Sequence, residues 1–235
     1  MYAVPVTIVG IIGGVGPEST IDYYRLLVEG WQERQGRDSY PLVIINSIDL
    51  QRMIRFFNAG DFAAVIEYLS AEVQRLADAG AAFGAISANT PHAVFDEVQA
   101  RSRIPLLSIV RAAADFAKTR GLRRLLLLGT RFTMSGGFYQ EVFSAEGMEL
   151  VTPDADAQEF VHDKYMNELV KGEFAAATRD RFAELIARLR DERQVEGVIL
   201  AGTELPLLLR DADLGLPALD TTRVHVDAII ERLRS

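Results

Sequence analysis

The side chains that could do chemistry in this chain gather in four short stretches built around glycine, serine and threonine. SANTPH (Ser87 to His92) and AGTEL (Ala201 to Leu205) bring together Ser87, Asn89, Thr90, His92, Thr203 and Glu204. Amide and hydroxyl donors of this kind can bind a carboxylate, while a buried Glu204 and the imidazole of His92 are the candidate proton-transfer groups. Each has a plainer alternative role. His92 follows Pro91 and is placed to start a helix as a capping or supporting group. Glu204 sits at the head of a helix, where an acid favours the helix dipole. In GGVGPEST (Gly13 to Thr20), the hydroxyls of Ser19 and Thr20 and nearby backbone amides either bind a carboxylate or simply complete a turn. In GTRFTM (Gly129 to Met134), Thr130 and Thr133 are hydroxyl donors or helix caps. For an anionic substrate the nominated basic residues are Arg52 and Lys171; the other reading is solvated surface charge.

Several chemistries are excluded by spacing. A dinucleotide fingerprint fails because the frame opening at Gly14 ends on Ser19, Pro17 removes an amide donor and Glu18 would repel a pyrophosphate. His92, His162 and His225 lack metal-ligand spacing, so no metal site is expected, and there is neither a G-x-S-x-G elbow nor a P-loop.

Eight short apolar runs must position these stretches: VTIVGII (Val6 to Ile12), LVIINSI (Leu42 to Ile48), FGAISA (Phe83 to Ala88), PLLSIV (Pro105 to Val110), RLLLLG (Arg124 to Gly129), MELVTP (Met148 to Pro153), GVILAG (Gly197 to Gly202) and PALDTT (Pro217 to Thr222). They read as strands of parallel sheets covered on both faces. Between them, Phe62, Val65, Ile66, Leu69, Val73 and Leu76 share one helical stripe, as do Phe182, Leu185, Ile186 and Leu189. Alternation of this kind is α/β with right-handed crossovers. The loop at Gly13 is followed about 75 residues later by Ala88, and the loop at Gly129 about 73 residues later by Gly202. The repeat predicts two pseudosymmetric parallel-sheet lobes with strand ends lining a cleft between them: residues 1–110 plus 216–235, and 111–215. A single doubly wound sheet is the alternative.

At 235 residues the chain is long enough for one large domain or two small ones, and 49% hydrophobic with 25% charged residues is ordinary for a globular enzyme. A formal net charge of −8 argues against nucleic acid and against an anionic membrane surface. The opening MYAVPVTIVGIIGG reads as a buried strand rather than a signal peptide, and no run approaches a membrane span. The cytoplasm is the default compartment. There is no cysteine, which excludes disulfides and thiolate metal sites.

GGVGPEST, SANTPH, GTRFTMSGGFYQ, VHDKYMNELVKGEF, GVILAGTELPLLL and LDTTRVHVDAI occur in this order from about Gly13 to Ile229. Together they resemble the aspartate/glutamate racemase family. The resemblance implies an active site between two lobes, no pyridoxal phosphate, no metal and a homodimer. It matches Asn89, Thr90, Thr133 and Thr203 to substrate contacts, and Arg52 and Lys171 to carboxylate-binding bases. It also places Ala88 and Gly202 at the positions of the family's two cysteines, whose thiols act on opposite faces of the substrate. A natural cysteine-free branch fits better than an inactivating substitution, because glycine is an unusual replacement for cysteine. The loss predicts an enlarged cleft that admits a bulkier substrate. The expected function is that of a racemase-family enzyme acting on a small, acidic amino acid or related carboxylate, with Glu204 and His92 in place of thiols. The alternatives are decarboxylation, hydrolysis or cyclisation in the same cleft, or an inactive carboxylate-binding homologue.

Overall fold

The computed structural model describes residues 7–210 and 212–235, so the expectations for residues 1–6 lie outside the described residues. All eight apolar runs form strands, arranged in two separate four-stranded sheets rather than one. The first sheet holds β1 (Ile8–Gly13), β2 (Leu42–Ser47), β3 (Phe83–Ile86) and β4 (Leu106–Leu107), in the order β2-β1-β3-β4. The second holds β5 (Arg124–Gly129), β6 (Glu149–Val151), β7 (Gly197–Ala201) and β8 (Ala218–Asp220), in the order β6-β5-β7-β8. Every pairing is parallel, with Val9 opposite Val43 and Phe83 in the first sheet, and Leu126 opposite Val151 and Val198 in the second. The same order in both sheets accounts for the internal repeat.

In the first half the connecting helices are α1 (Pro17–Gln35), α2 (Leu50–Asn58), α3 (Phe62–Asp78) and α4 (Phe95–Arg101), the last preceded by a 3-10 turn at Thr90–Val94. In the second half they are α5 (Ile109–Thr119), α6 (Arg131–Ser135), α7 (Phe138–Ala145), α8 (Ala155–Asn167), α9 (Ala176–Arg193), α10 (Leu205–Leu209) and α11 (Thr221–Arg234), with a 3-10 turn at Leu169–Lys171. Helices start where short polar side chains take up free amides: Asp49 accepts from Arg52 N, Asp61 from Ala64 N, and Asp154 from Ala157 N. The stripe Val65, Leu69, Val73 and Leu76 is buried, each side chain contributing about 1.5–3 kcal/mol by leaving water. Phe62 departs from that stripe. It is 43% exposed at the first turn of α3, its ring edge-on to Phe57 at 6.0 Å. On α9, Phe182, Leu185, Ile186 and Leu189 are all buried as expected.

β4 and β8 stop well short of their runs, because Ile109 and Thr221 already open α5 and α11; the Asp220 carboxylate accepts from the amides of Thr222 and Arg223 there. Edge strand β2 is only partly covered, with Leu42 and Ile45 exposed, unlike the buried central strands β1 and β3.

The chain divides into two compact units, one running to Ile109 and including His225–Ser235, the other Val110–Val224. The first unit's core joins Val9, Ile11, Tyr23, Leu27, Phe83 and Ile229; the second's includes Leu126, Leu128, Val161, Tyr165, Phe182 and Leu200. Residues 216–224 therefore belong with the second unit, not with the first as the sequence suggested, because β8 completes the second sheet against β7. Among the described residues no helix is long and apolar enough to cross a membrane.

Candidate active site

In a parallel sheet the loops at the carboxyl ends of the strands are the usual places for ligand-binding groups. At the end of β7, Gly202 and Thr203 turn the chain into α10, and Glu204 stands at the helix head without capping it through its side chain. The Glu204 carboxylate is instead turned inward and is 2% exposed. Its Oε2 accepts the hydroxyl of Thr203 at 2.8 Å and the phenol of Tyr165 from α8. Burial pushes the Tyr165 phenol well above its usual value, and the Glu204 charge adds to that effect, so this phenol keeps its proton. A Cβ on residue 202 would lie 2.3 Å from Tyr165 Cε2, 2.9 Å from Cζ and 3.0 Å from the hydroxyl. The expected enlargement of the site is therefore absent at Gly202. The tyrosine ring fills the space that a side chain there would need.

Tyr165 was missed in the sequence because it lies four residues after Val161 and four before Leu169, in the apolar register of a core position. Its only sequence signal is a hydroxyl at a buried helical position, which requires a partner.

In the first unit, β3 delivers Ser87, Ala88, Asn89 and Thr90 to the equivalent strand end. Ser87 is fully buried and its hydroxyl donates to Ile12 O at 2.9 Å, tying β3 to β1. That commits it to the sheet rather than to a ligand. Asn89 is buried and Thr90 half-buried at the entrance of the 3-10 turn. His92 is also buried. Its Nε2 accepts the Ile109 amide at 3.2 Å, which leaves Nδ1 as the protonated nitrogen donating to Ala88 O at 2.9 Å. The ring stacks on Phe95 at 5.0 Å. Both nitrogens of the His92 ring are on backbone atoms, through which it positions the loop.

Behind it lies His225, fully buried, whose Nε2–H donates to Leu107 O at 3.1 Å while Nδ1 accepts the Tyr23 hydroxyl at 2.9 Å. Burial lowers its pKa to about 4, so this ring is neutral near pH 7.

The glycine-rich turn resolves in favour of structure. Thr20 Oγ1 accepts the Gly14 amide at 2.9 Å and donates to Gly16 O, and the Ser19 hydroxyl donates to Gly16 O. Gly14 has φ +78°, and a Cβ there would press on Ile48 O at 2.6 Å, so only glycine fits this turn. Both hydroxyls hold the entry to α1. Beside them, Gly14, Thr20, Ser47, Ile48 and Asp49 line a surface cavity of ≈ 500 Å³. Arg52 is exposed at the start of α2, its guanidinium 4.6 Å from the centroid of the Tyr68 ring, and the Tyr68 oxygen accepts the Asp49 amide. Cation–π contact holds the charge near the β2 end. In the second unit Thr133 is fully buried, 3.1 Å from the Thr130 hydroxyl that caps α6. Lys171 is exposed on its 3-10 turn. Among the described residues no group of three or more acidic or histidine side chains is arranged to hold a metal ion.

Residues 12–229 match the family model of the Asp/Glu/Hydantoin racemases. The chain belongs to this family. A structure described as PH1733, an aspartate racemase homologue from Pyrococcus horikoshii OT3, is 35% identical, with a TM-score of 0.85 over 97% of this chain and 100% of that one. The Picrophilus torridus aspartate racemase shares the fold, with a TM-score of 0.77 at 24% identity over 97% of this chain and 94% of that one. The broad specificity amino-acid racemase RacX of Bacillus subtilis is 25% identical over 154 residues, which span 62% of this chain and 64% of RacX. This racemase-family chain nevertheless has no cysteine, so any proton transfer at its strand ends falls to oxygen or nitrogen groups.

Proposed function

We propose that this protein is an amino-acid isomerase, a racemase or epimerase, that acts on a small acidic amino acid or related carboxylate without thiols. The observation that carries the reading is Glu204, a buried carboxylate at the end of β7 held by two hydroxyl donors. A carboxylate kept from water and fixed in direction is suited to proton transfer at a carbon next to a carboxylate. Membership of the family supports the reaction class, and nothing in the relatives favours a different reaction or a purely binding role. Asn89, Thr90 and Thr203 are the proposed substrate contacts, with Arg52 as the cation for a carboxylate. Lys171 is the second proposed cation.

The test is proton NMR of α-hydrogen exchange in D₂O, with near-stoichiometric protein and both enantiomers of aspartate, glutamate and several larger amino acids. The expected result is exchange with at least one of them, lost in Glu204→Gln. Absence of exchange with every amino acid that raises the melting temperature would sink the reading.

A further inference from the structure

We propose that Tyr165 is the proton carrier of the β7-end site, acting as a pair with Glu204. The inference rests on the isomerase reading above and names the group that touches the α-hydrogen.

Three observations converge on it. The ring edge of Tyr165 that bears the hydroxyl lies against the backbone of Gly202, in the volume any side chain of that residue would occupy. Its hydroxyl donates to the same Glu204 oxygen that receives Thr203, so the phenol has one defined proton acceptor. The rest of the ring is locked in the second unit's apolar core with Val161, Leu169 and Leu205. Burying a carboxylate costs several kcal/mol unless it is paired, and an apolar pair of this volume would pack as well or better. A buried Tyr–Glu pair at a strand end is therefore better explained by use than by stability.

The proton balance follows from the hydrogen-bond direction. The substrate Cα–H bond breaks and its electron pair moves into the adjacent carboxylate as an enediolate. The α-proton goes to the Tyr165 oxygen while the phenol's own proton passes to Glu204 Oε2. Reversal returns the proton held on the Tyr165 oxygen to carbon, and that proton is a solvent-derived one once the Tyr165 hydroxyl has exchanged with water before reversal. No free phenolate forms, consistent with a phenol whose ionisation burial opposes.

Tyr165→Phe keeps the ring and removes the relay. It is expected to slow α-hydrogen exchange by about 100-fold or more, the usual range for a lost acid–base group, with KM little changed. A second variant separates chemistry from packing. Tyr165→Ala opens a ring-sized space that phenol and toluene can both fill, and only phenol should restore exchange. Exchange in Tyr165→Phe within about threefold of the unmodified protein would overturn the proposal, since a lost carrier costs far more. So would rescue by toluene, or by neither compound in a folded variant. An unmodified protein that exchanges nothing sinks the isomerase reading together with this one. Normal exchange in Tyr165→Phe sinks only the relay.

Discussion

Replacing His225 by glutamine should remove a defined part of the protein's sensitivity to acid. In the fold the imidazole is fully buried between the Tyr23 hydroxyl and Leu107 O, with the His92 ring edge-on at 6.4 Å, and its pKa falls from 6.5 to about 4. The unfolded chain takes this proton near 6.5, so between the two values the unfolded state binds more protons. Stability is complete above about 6.5 and declines as pH falls through the window towards 4. A shift of about 2.5 units corresponds to about 3 kcal/mol in full, of which about 2 kcal/mol is already lost at pH 5. Urea denaturation at pH 7.5 and pH 5 measures it. The unmodified protein should lose about 2 kcal/mol more than His225→Gln between these pH values, because other groups titrate alike in both. Parallel losses in the two proteins would refute the reasoning. The consequence reaches the candidate site, since His225 holds the end of β4, and two residues on Ile109 donates to the His92 ring that anchors the Asn89–Thr90 turn.

Two further outcomes separate binding groups from supporting ones. Arg52→Ala should raise KM for an acidic amino acid by about 10- to 100-fold, the worth of a charge-assisted contact of about 1.5–3 kcal/mol, while the melting temperature stays nearly constant; an unchanged KM would remove Arg52 from the site. Ser87→Ala should destabilise by about 1 kcal/mol or less, because Ile12 O also accepts the Ser87 amide. Its exchange rate should hold within about twofold, whereas loss of a reacting group costs about 100-fold or more; a large fall in rate at constant stability would instead place the hydroxyl on substrate.

Strand positions, helix stripes and the doubled architecture were written in local patterns. Runs such as RLLLLG and GVILAG have one physical solution once both faces of a parallel sheet are covered, and the Val65 to Leu76 stripe requires only helical periodicity. The resemblance carried by SANTPH and LAGTELPLLL likewise needs no coordinates, and the acid in AGTEL placed Glu204 among the candidates on residue type and position alone. Which donors stay available for chemistry was decided by the tertiary structure. Ser87 and His92 carry the right atoms, yet Ile12 O and the Ile109 amide, brought close by packing, claim them, whereas Ser19 and Thr20 bond within their own turn. Tyr165 shows the reverse case. Its spacing marks it as core, and only the fold sets its hydroxyl on a carboxylate 39 positions away and its ring against a residue without a side chain. Periodicity fixes which face of an element is buried, because that depends on neighbours three or four residues away. The partner of a buried polar atom depends on where a distant element comes to rest, and no local pattern encodes that.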